Sequence, residues 1–324
     1  MTISSQVTCL ACGSDSGFTT FTVREAMLGI GDHHDYGECH DCGSIQNLNP
    51  PDDLSRYYPT NYYSLTSRAE HPFKRWLRTQ RAHHGLGDMN PVGAIATALL
   101  GEPYFVNWLN CAQATHNTAI LDVGCGSGAL LLHLQACGYG NLTGIDPFLP
   151  HSSEQPGLRL LKVELQQVTD RFDLIMFHHS LEHVSQPLAT LRQVAQLLTP
   201  QGLCLVRTPV AGTWAWQTYG TDWVQLDAPR HLWIPSLAGM QHLVQRAGLS
   251  LQKTQFDSDR FQIIGSEKIK RGQSFHADAH TLFSPRQLRD LDRQVQQLNA
   301  DNRGDQACFW LRSNTTIARS VASW

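Results

Sequence analysis

Residues 119–146 read AILDVGCGSGALLLHLQACGYGNLTGID, and the fold turns on how the middle of that stretch is read. An apolar run of strand length stops at Gly124, Gly126 and Gly128, and the chain resumes in a helical pattern. A second short apolar run then ends on a lone carboxylate, Asp146. Glycine is needed where a turn takes positive φ, and where a ligand comes too close to the main chain for a Cβ. The open amides of the following helix favour an electron-rich group. An acid at the end of the next strand, 18 residues past Gly128, suits the hydroxyls of a ribose. The stretch therefore predicts a strand–loop–helix unit for a nucleoside-containing cofactor.

The pattern continues outward on both sides. AILDV, ALLLHLQACG, NLTGID, LRLLKVE, FDLIMF, PLATLRQVAQLL and LCLVRTP alternate between strand-length apolar runs and helical spacing. Such alternation specifies an α/β fold, a parallel sheet with helices on both faces. Leu188, Leu191, Val194 and Leu198 follow helical spacing, and Pro200-Gln201-Gly202 is read as a turn. A further helix is expected from Ser236 to Gly248 and another from Pro285 to Asn299, followed by a strand, QACFWLR.

The loop spacing separates two classes of cofactor. Dinucleotide-binding turns carry G-x-G-x-x-G, which lets a pyrophosphate sit on the helix. Here the spacing is G-x-G-x-G, with Asp122 at the strand end. A carboxylate there repels a pyrophosphate but favours an ammonium or sulfonium. S-adenosylmethionine carries both, plus a ribose for Asp146. LDVGCGSG followed by GID resembles the first motif and second-strand acid of class I S-adenosylmethionine-dependent methyltransferases. FDLIMFHHSLEHV is similar to the fourth-strand motif of that family, and TPQG with LCLVRTP to its fifth unit. The resemblance implies a Rossmann-like seven-stranded sheet whose last strand is antiparallel. It also implies that Asp122, Gly124, Cys125, Gly126 and Gly128 hold the methionine end of the cofactor, and Asp146 the ribose. Pro147, His178 and His179 would line the same ligand.

At the amino end, Cys9-x2-Cys12 and Cys39-x2-Cys42 are each followed at once by glycine, at Gly13 and Gly43. Two such turns present four thiolates in the S4 geometry of structural zinc. Four sulfurs close the coordination shell, so the expected ion serves folding and not catalysis. His33, His34 and His40 lie close by and are read as exposed loop residues, with replacement of one Cys ligand by a histidine as the alternative. The expected organisation is a zinc ribbon over 1–48, a linker and helical cap over 49–117, and the methyltransferase domain over 118–324. The middle part includes the cluster Tyr57, Tyr58, Tyr62 and Tyr63. It also holds a basic helix over 73–81 and an apolar helical segment over 94–109, interrupted at Gly101 and Pro103.

Beyond the fourth strand, His178, His179, Glu182 and His183 stand together, where open α/β sheets bind ligands. Methyl transfer to an alcohol or acidic carbon needs a base, and histidine is the side chain suited to it near neutrality. Glu182 and His183 match a Glu-His pair implicated in related sugar-carbon methyltransferases. His231, in DAPRHLWIPS, is a second candidate base, and Arg230 beside it suits a substrate phosphate or carboxylate. Trp214, Trp216, Tyr219 and Trp223 suit stacking on a sugar or ring, or simple wall packing.

The 324 residues carry a net charge near −3, which gives no electrostatic reason for a nucleic-acid or membrane partner. No stretch reaches spanning length, and no basic segment precedes an apolar block at the amino end, so a cytoplasmic protein is expected. The ribbon, YYPTNYYS and DAPRHLWIPS together resemble a bacterial subgroup acting on sugars, nucleotide sugars or other secondary metabolites. The expected activity is methyl transfer to such a small molecule. The competing readings are a nicotinamide-dependent oxidoreductase, a methyltransferase acting on nucleic acid or protein, and a non-enzymatic zinc-ribbon binding module.

Overall fold

The computed structural model describes residues 7–58, 71–273 and 278–314. Tyr62 and Tyr63 lie outside them. In chain order the strands are β1 (Phe18–Arg24), β2 (His33–Cys39), β3 (Ile45–Asn47), β4 (Ile120–Val123), β5 (Leu142–Ile145) and β6 (Ser153–Gln155). They continue as β7 (Leu158–Leu161), β8 (Phe172–His178), β9 (Leu198–Pro209), β10 (Trp233–Ile234), β11 (Leu249–Phe256) and β12 (Gln306–Ser313). The helices are α1 (Pro72–Gly85), α2 (Pro91–Leu100), α3 (Tyr104–Cys111), α4 (Ala129–Ala136), α5 (Pro187–Leu197), α6 (Trp214–Tyr219), α7 (Leu237–Arg246), α8 (Phe261–Lys270) and α9 (Pro285–Ala300).

The chain divides into two compact units. Of the described residues, a loop unit comprises 71–178 and 196–205; a ribbon unit comprises 7–58, 179–195, 206–273 and 278–314. In the loop unit the hydrogen-bonded strand order is β9-β8-β4-β5-β7-β6. β4 is parallel to β8, pairing Leu121 with Ile175, and to β5, pairing Asp122 with Gly144. β5 is parallel to β7, whereas β6 is antiparallel to it. All four residues of β4 are buried, as both-face burial in a parallel sheet demands. α4 closes tightly on this sheet. A Cβ on Gly144 would stand 2.7 Å from Leu131 Cδ1 and 2.8 Å from Cys125 Sγ.

In the ribbon unit the order continues as β11-β12-β9, with β12 antiparallel to β11. The seven expected strands and the reversed last one are therefore present, and β6 adds an eighth at the edge. β9 is already extended at Leu198, so the stretch read as a turn at 200–202 belongs to a strand. A second sheet, β1-β2-β3-β10, builds the ribbon. His33 and His34, read as loop residues, lie on β2. Ile45 and Ile234 pair across β3 and β10 and share a core with Val23, Tyr36, Trp223 and Leu226. Burial of these apolar residues ties the amino-terminal ribbon to segments nearly 200 positions later.

Candidate functional site

In the loop unit, Gly124, Gly126 and Gly128 all take positive φ, at 74°, 52° and 75°. The amides of Gly124 and Cys125 both donate to the Ile145 carbonyl, at 2.9 and 3.1 Å, which folds the loop back over β5. Gly128 caps α4 in the left-handed conformation without a side-chain cap, so the first amides of that helix stay open. Asp146 is buried at the end of β5. Its Oδ2 accepts from the Gly126 amide at 3.0 Å and its Oδ1 from the Phe148 amide at 2.9 Å. Each carboxylate oxygen keeps acceptor capacity beyond these bonds. Pro147 follows in the turn, and the neighbouring Phe148 side chain is exposed.

Asp122 is the electrostatic outlier of this loop. It is buried, and its Oδ1 has no hydrogen-bond partner among the described residues. Desolvation, followed by the nearby Asp146 charge, pushes its carboxyl up to about 7. A buried acceptor facing a second acid is the feature that a bound ammonium or sulfonium satisfies. The residues thus fit the cation of S-adenosylmethionine. Burial also pushes the Cys125 thiol up, keeping it neutral. His178, at the end of β8, stacks on Trp108 of α3 with ring centroids 4.1 Å apart.

The chain runs from His178 directly into the second group, in the ribbon unit. Glu182 is fully buried there. Its Oε1 lies 3.1 Å from His179 Nδ1 and 3.9 Å from His231 Nε2, and its Oε2 accepts from Thr208 Oγ1 at 3.0 Å. Burial alone would raise the Glu182 carboxyl. The His179 hydrogen bond and the charges of His179, His231 and His183 outweigh it and hold the group at about 2. His179 takes φ 51°, a left-handed value that bulky residues adopt only when their surroundings impose it. Its amide is bound by the Arg207 carbonyl.

His231 presents Nδ1 to the Gln225 carbonyl at 2.6 Å, and His183 presents Nδ1 to the Arg230 carbonyl at 2.8 Å. A carbonyl only accepts, so each Nδ1 carries hydrogen and each Nε2 the lone pair. Burial drives His231 down to about 4, against the opposing charges of Asp227 and Glu182. Tyr58 Oη also reaches His183 Nδ1, at 3.2 Å, and the two histidine rings lie 4.8 Å apart edge to face. Ligand atoms of Glu182, His183 and His231 thus lie within 4.8 Å of one another.

Arg230 departs from expectation. Its guanidinium is buried, paired with both oxygens of Asp227, and donates to the Tyr57 carbonyl at 3.2 Å. The phosphate role read from the sequence is replaced by an internal ion pair. Trp223 is likewise buried and donates to Asp305 at 3.0 Å, while Trp216 donates to Glu38 at 3.2 Å. Their indoles are walls and not stacking platforms. Sequence reading missed Thr208 and the Gln225 carbonyl. One is an ordinary strand residue and the other a main-chain group, and neither carries a pattern that would mark it.

The four ribbon cysteines converge as well. Cys9 and Cys42 sulfurs lie 3.7 Å apart, as do those of Cys12 and Cys39, and all four fall within 4.8 Å of one another. A tetrahedron with metal–sulfur bonds of about 2.3 Å has edges of about 3.8 Å, so the set fits zinc. Gly13 and Gly43, at φ 81° and 70°, return their amides to the Cys9 and Cys39 carbonyls at 2.8 Å.

Residues 107–254 match the family model described as a methyltransferase domain. A ubiquinone biosynthesis O-methyltransferase of Cereibacter sphaeroides is 29% identical over 147 residues, covering 40% of this chain and 59% of that protein. The chain thus spans about three fifths of that curated relative. One of the same name from Xanthomonas campestris is 28% identical over 200 residues, 57% of this chain and 76% of the relative. Among solved structures, a cyclopropane synthase of Mycobacterium tuberculosis is 16% identical, with a TM-score of 0.39 over 60% of this chain and 78% of that one.

Proposed function

We propose that this chain, which carries a methyltransferase domain over residues 107–254, moves the methyl group of S-adenosylmethionine to a hydroxyl of a small molecule. The acceptor class is a sugar, a nucleotide sugar or another secondary metabolite. The choice of oxygen follows the curated relatives, which are named O-methyltransferases. One observation carries the cofactor reading: the buried Asp122 oxygen that no donor satisfies, beside a glycine loop of G-x-G-x-G spacing. A pyrophosphate would add negative charge to a site already holding two acids, which disfavours a nicotinamide dinucleotide.

When bound, the cofactor supplies an electrophilic methyl group on a positively charged sulfur. Asp122 would pair with the cationic end and Asp146 would accept from the ribose. The open amides of the first turn of α4 would take the carboxylate of the methionine moiety. Transfer to a hydroxyl leaves a proton to be removed. We assign it to His183 Nε2, which the Arg230 carbonyl fixes as the basic nitrogen. His231, held neutral by burial, is the weaker base and positions the group. Glu182 stabilises the imidazolium that forms, the role a buried carboxylate takes beside a histidine base. Zinc at Cys9, Cys12, Cys39 and Cys42 completes the ribbon and takes no part in the transfer. The domain limits proposed are 1–48 for the ribbon, 49–117 for the connection and 118–324 for the catalytic domain.

Calorimetry on zinc-loaded protein tests the first part. S-adenosylmethionine or its demethylated product should bind and a nicotinamide dinucleotide should not; the opposite result overturns the reading. Transfer of labelled methyl to panels of nucleotide sugars, free sugars and phenolic metabolites identifies the acceptor. His183→Ala should keep cofactor affinity and lose about 10²–10⁴-fold in turnover. Unchanged turnover removes His183 as the base.

A further inference from the structure

Helices α1 and α2 turn their large apolar side chains outward. In α2, Gly93 and Ala96 are buried, whereas Val92, Ile95, Leu99 and Leu100 are exposed, Ile95 at 66% and Leu99 at 78%. In α1 only Ala82 is buried; Phe73 and Trp76 stand 60% and 47% exposed, stacked with centroids 5.8 Å apart. Met89, between the helices, is fully exposed. Exposed apolar side chains this concentrated mark an interaction surface.

The charges beside them select the partner. Residues 71–100 contain four cations, Lys74, Arg75, Arg78 and Arg81, against one acid, Asp88, in a chain whose net charge is −3. Asp88 is already paired with His83 at 2.7 Å. Lys74 and Arg75 lie in the exposed first turns of α1, between Phe73 and Trp76. Arg81 binds the carbonyls of Leu100 and Gly101, which closes the carboxyl end of α2 against α1. A rigid helical pair is left, with an aromatic and basic end and an uncharged aliphatic stripe.

We propose that α1 and α2 form a docking surface for an anionic lipid bilayer. Aromatic rings among lysines and arginines suit the headgroup region, and the aliphatic stripe suits the acyl boundary just below it. A second copy of the chain fits less well, because a symmetric contact through this face would bring together two basic patches with one acid in each. Whole-chain charge hides the feature, since the acids lie elsewhere in the sequence. The surface would hold the chain at a membrane from one side, and no helix among the described residues is long and apolar enough to cross it.

Co-sedimentation of the full zinc-loaded chain with vesicles tests this. Phosphatidylcholine vesicles containing phosphatidylglycerol should capture the protein at low salt, with a blue shift of tryptophan emission, and release it at high salt. Pure phosphatidylcholine should capture little. Lys74→Glu with Arg75→Glu should weaken capture about tenfold or more, two cations facing the anionic bilayer being replaced by two anions. Ile95→Asp with Leu99→Asp should abolish it while the circular dichroism spectrum stays unchanged. If that variant misfolds, the exposed Lys74/Arg75 pair still decides the matter. Absence of capture, equal capture by neutral vesicles, or a dimer that the Ile95/Leu99 variant dissociates without any lipid binding overturns the proposal.

Discussion

His231 Nε2 lies 3.9 Å from Glu182 Oε1, both groups buried, and the two are displaced in the same direction from their ordinary protonation ranges. His231 is down to about 4, chiefly through burial. Glu182 is down to about 2, because its histidine contacts outweigh burial.

The first prediction concerns acid. Both groups bind fewer protons in the folded chain than in the unfolded one, so their stabilisation is present above the unfolded values and lost as pH falls. For His231 the loss runs from about 6.5 down to about 4; for Glu182 it runs from about 4.5 down to about 2. Each is worth on the order of 3 kcal/mol. Urea titrations at descending pH should show two successive losses, and Glu182→Gln should remove the lower one. A curve unchanged in that variant rejects the assignment.

Asp122 behaves in the opposite sense. Its folded value is raised to about 7, so its contribution is full below about 3.8 and is lost as pH rises through about 7. Asp122→Asn should therefore stabilise the ligand-free protein by on the order of 1–3 kcal/mol at neutral pH, and weaken S-adenosylmethionine binding about 10- to 100-fold. Scanning calorimetry and titration calorimetry read the two effects separately. An equal loss of both stability and affinity would mean a purely structural aspartate.

Gly128 tests the loop without reference to any ligand. At φ 75° a side chain is strained, and a Cβ would stand 2.7 Å from Leu160 Cδ1. Gly128→Ala should cost about 1–3 kcal/mol by chemical denaturation. A loss under half of that would mean that α4 shifts freely on β7.

Removal of the ribbon ion should be felt beyond the ribbon. β10 pairs with β3, and Ser236 of the following segment donates its hydroxyl to the Cys42 carbonyl and its amide to Ser44 Oγ at 3.0 Å. Cys39→Ser should lower the zinc content from about one per chain to near zero. It should also speed proteolysis both before residue 48 and around 233–246. Cleavage confined to the ribbon would show that the two segments are energetically separate.

Much of this was legible in the sequence because it depends on short-range chemistry. A positive-φ turn admits glycine, so the spacing at Gly124, Gly126 and Gly128 marks the loop. Two thiolates three positions apart, each pair followed by glycine, mark one half of a tetrahedron. The strand–helix alternation from residue 119 onward marks the parallel sheet for the same reason, since period and punctuation are local properties. Other features depend on partners remote in sequence. Nothing near Arg230 says that its guanidinium is buried against Asp227 and Tyr57, and nothing near Glu182 points to Thr208 or His231. Apolar spacing in α2 announces a helix but not which face is covered: packing chose Gly93 and Ala96, whose small size lets α2 approach α1, and left Ile95 and Leu99 outside. Local backbone and ligand chemistry is written residue by residue, whereas burial and charge pairing arise only when distant segments meet.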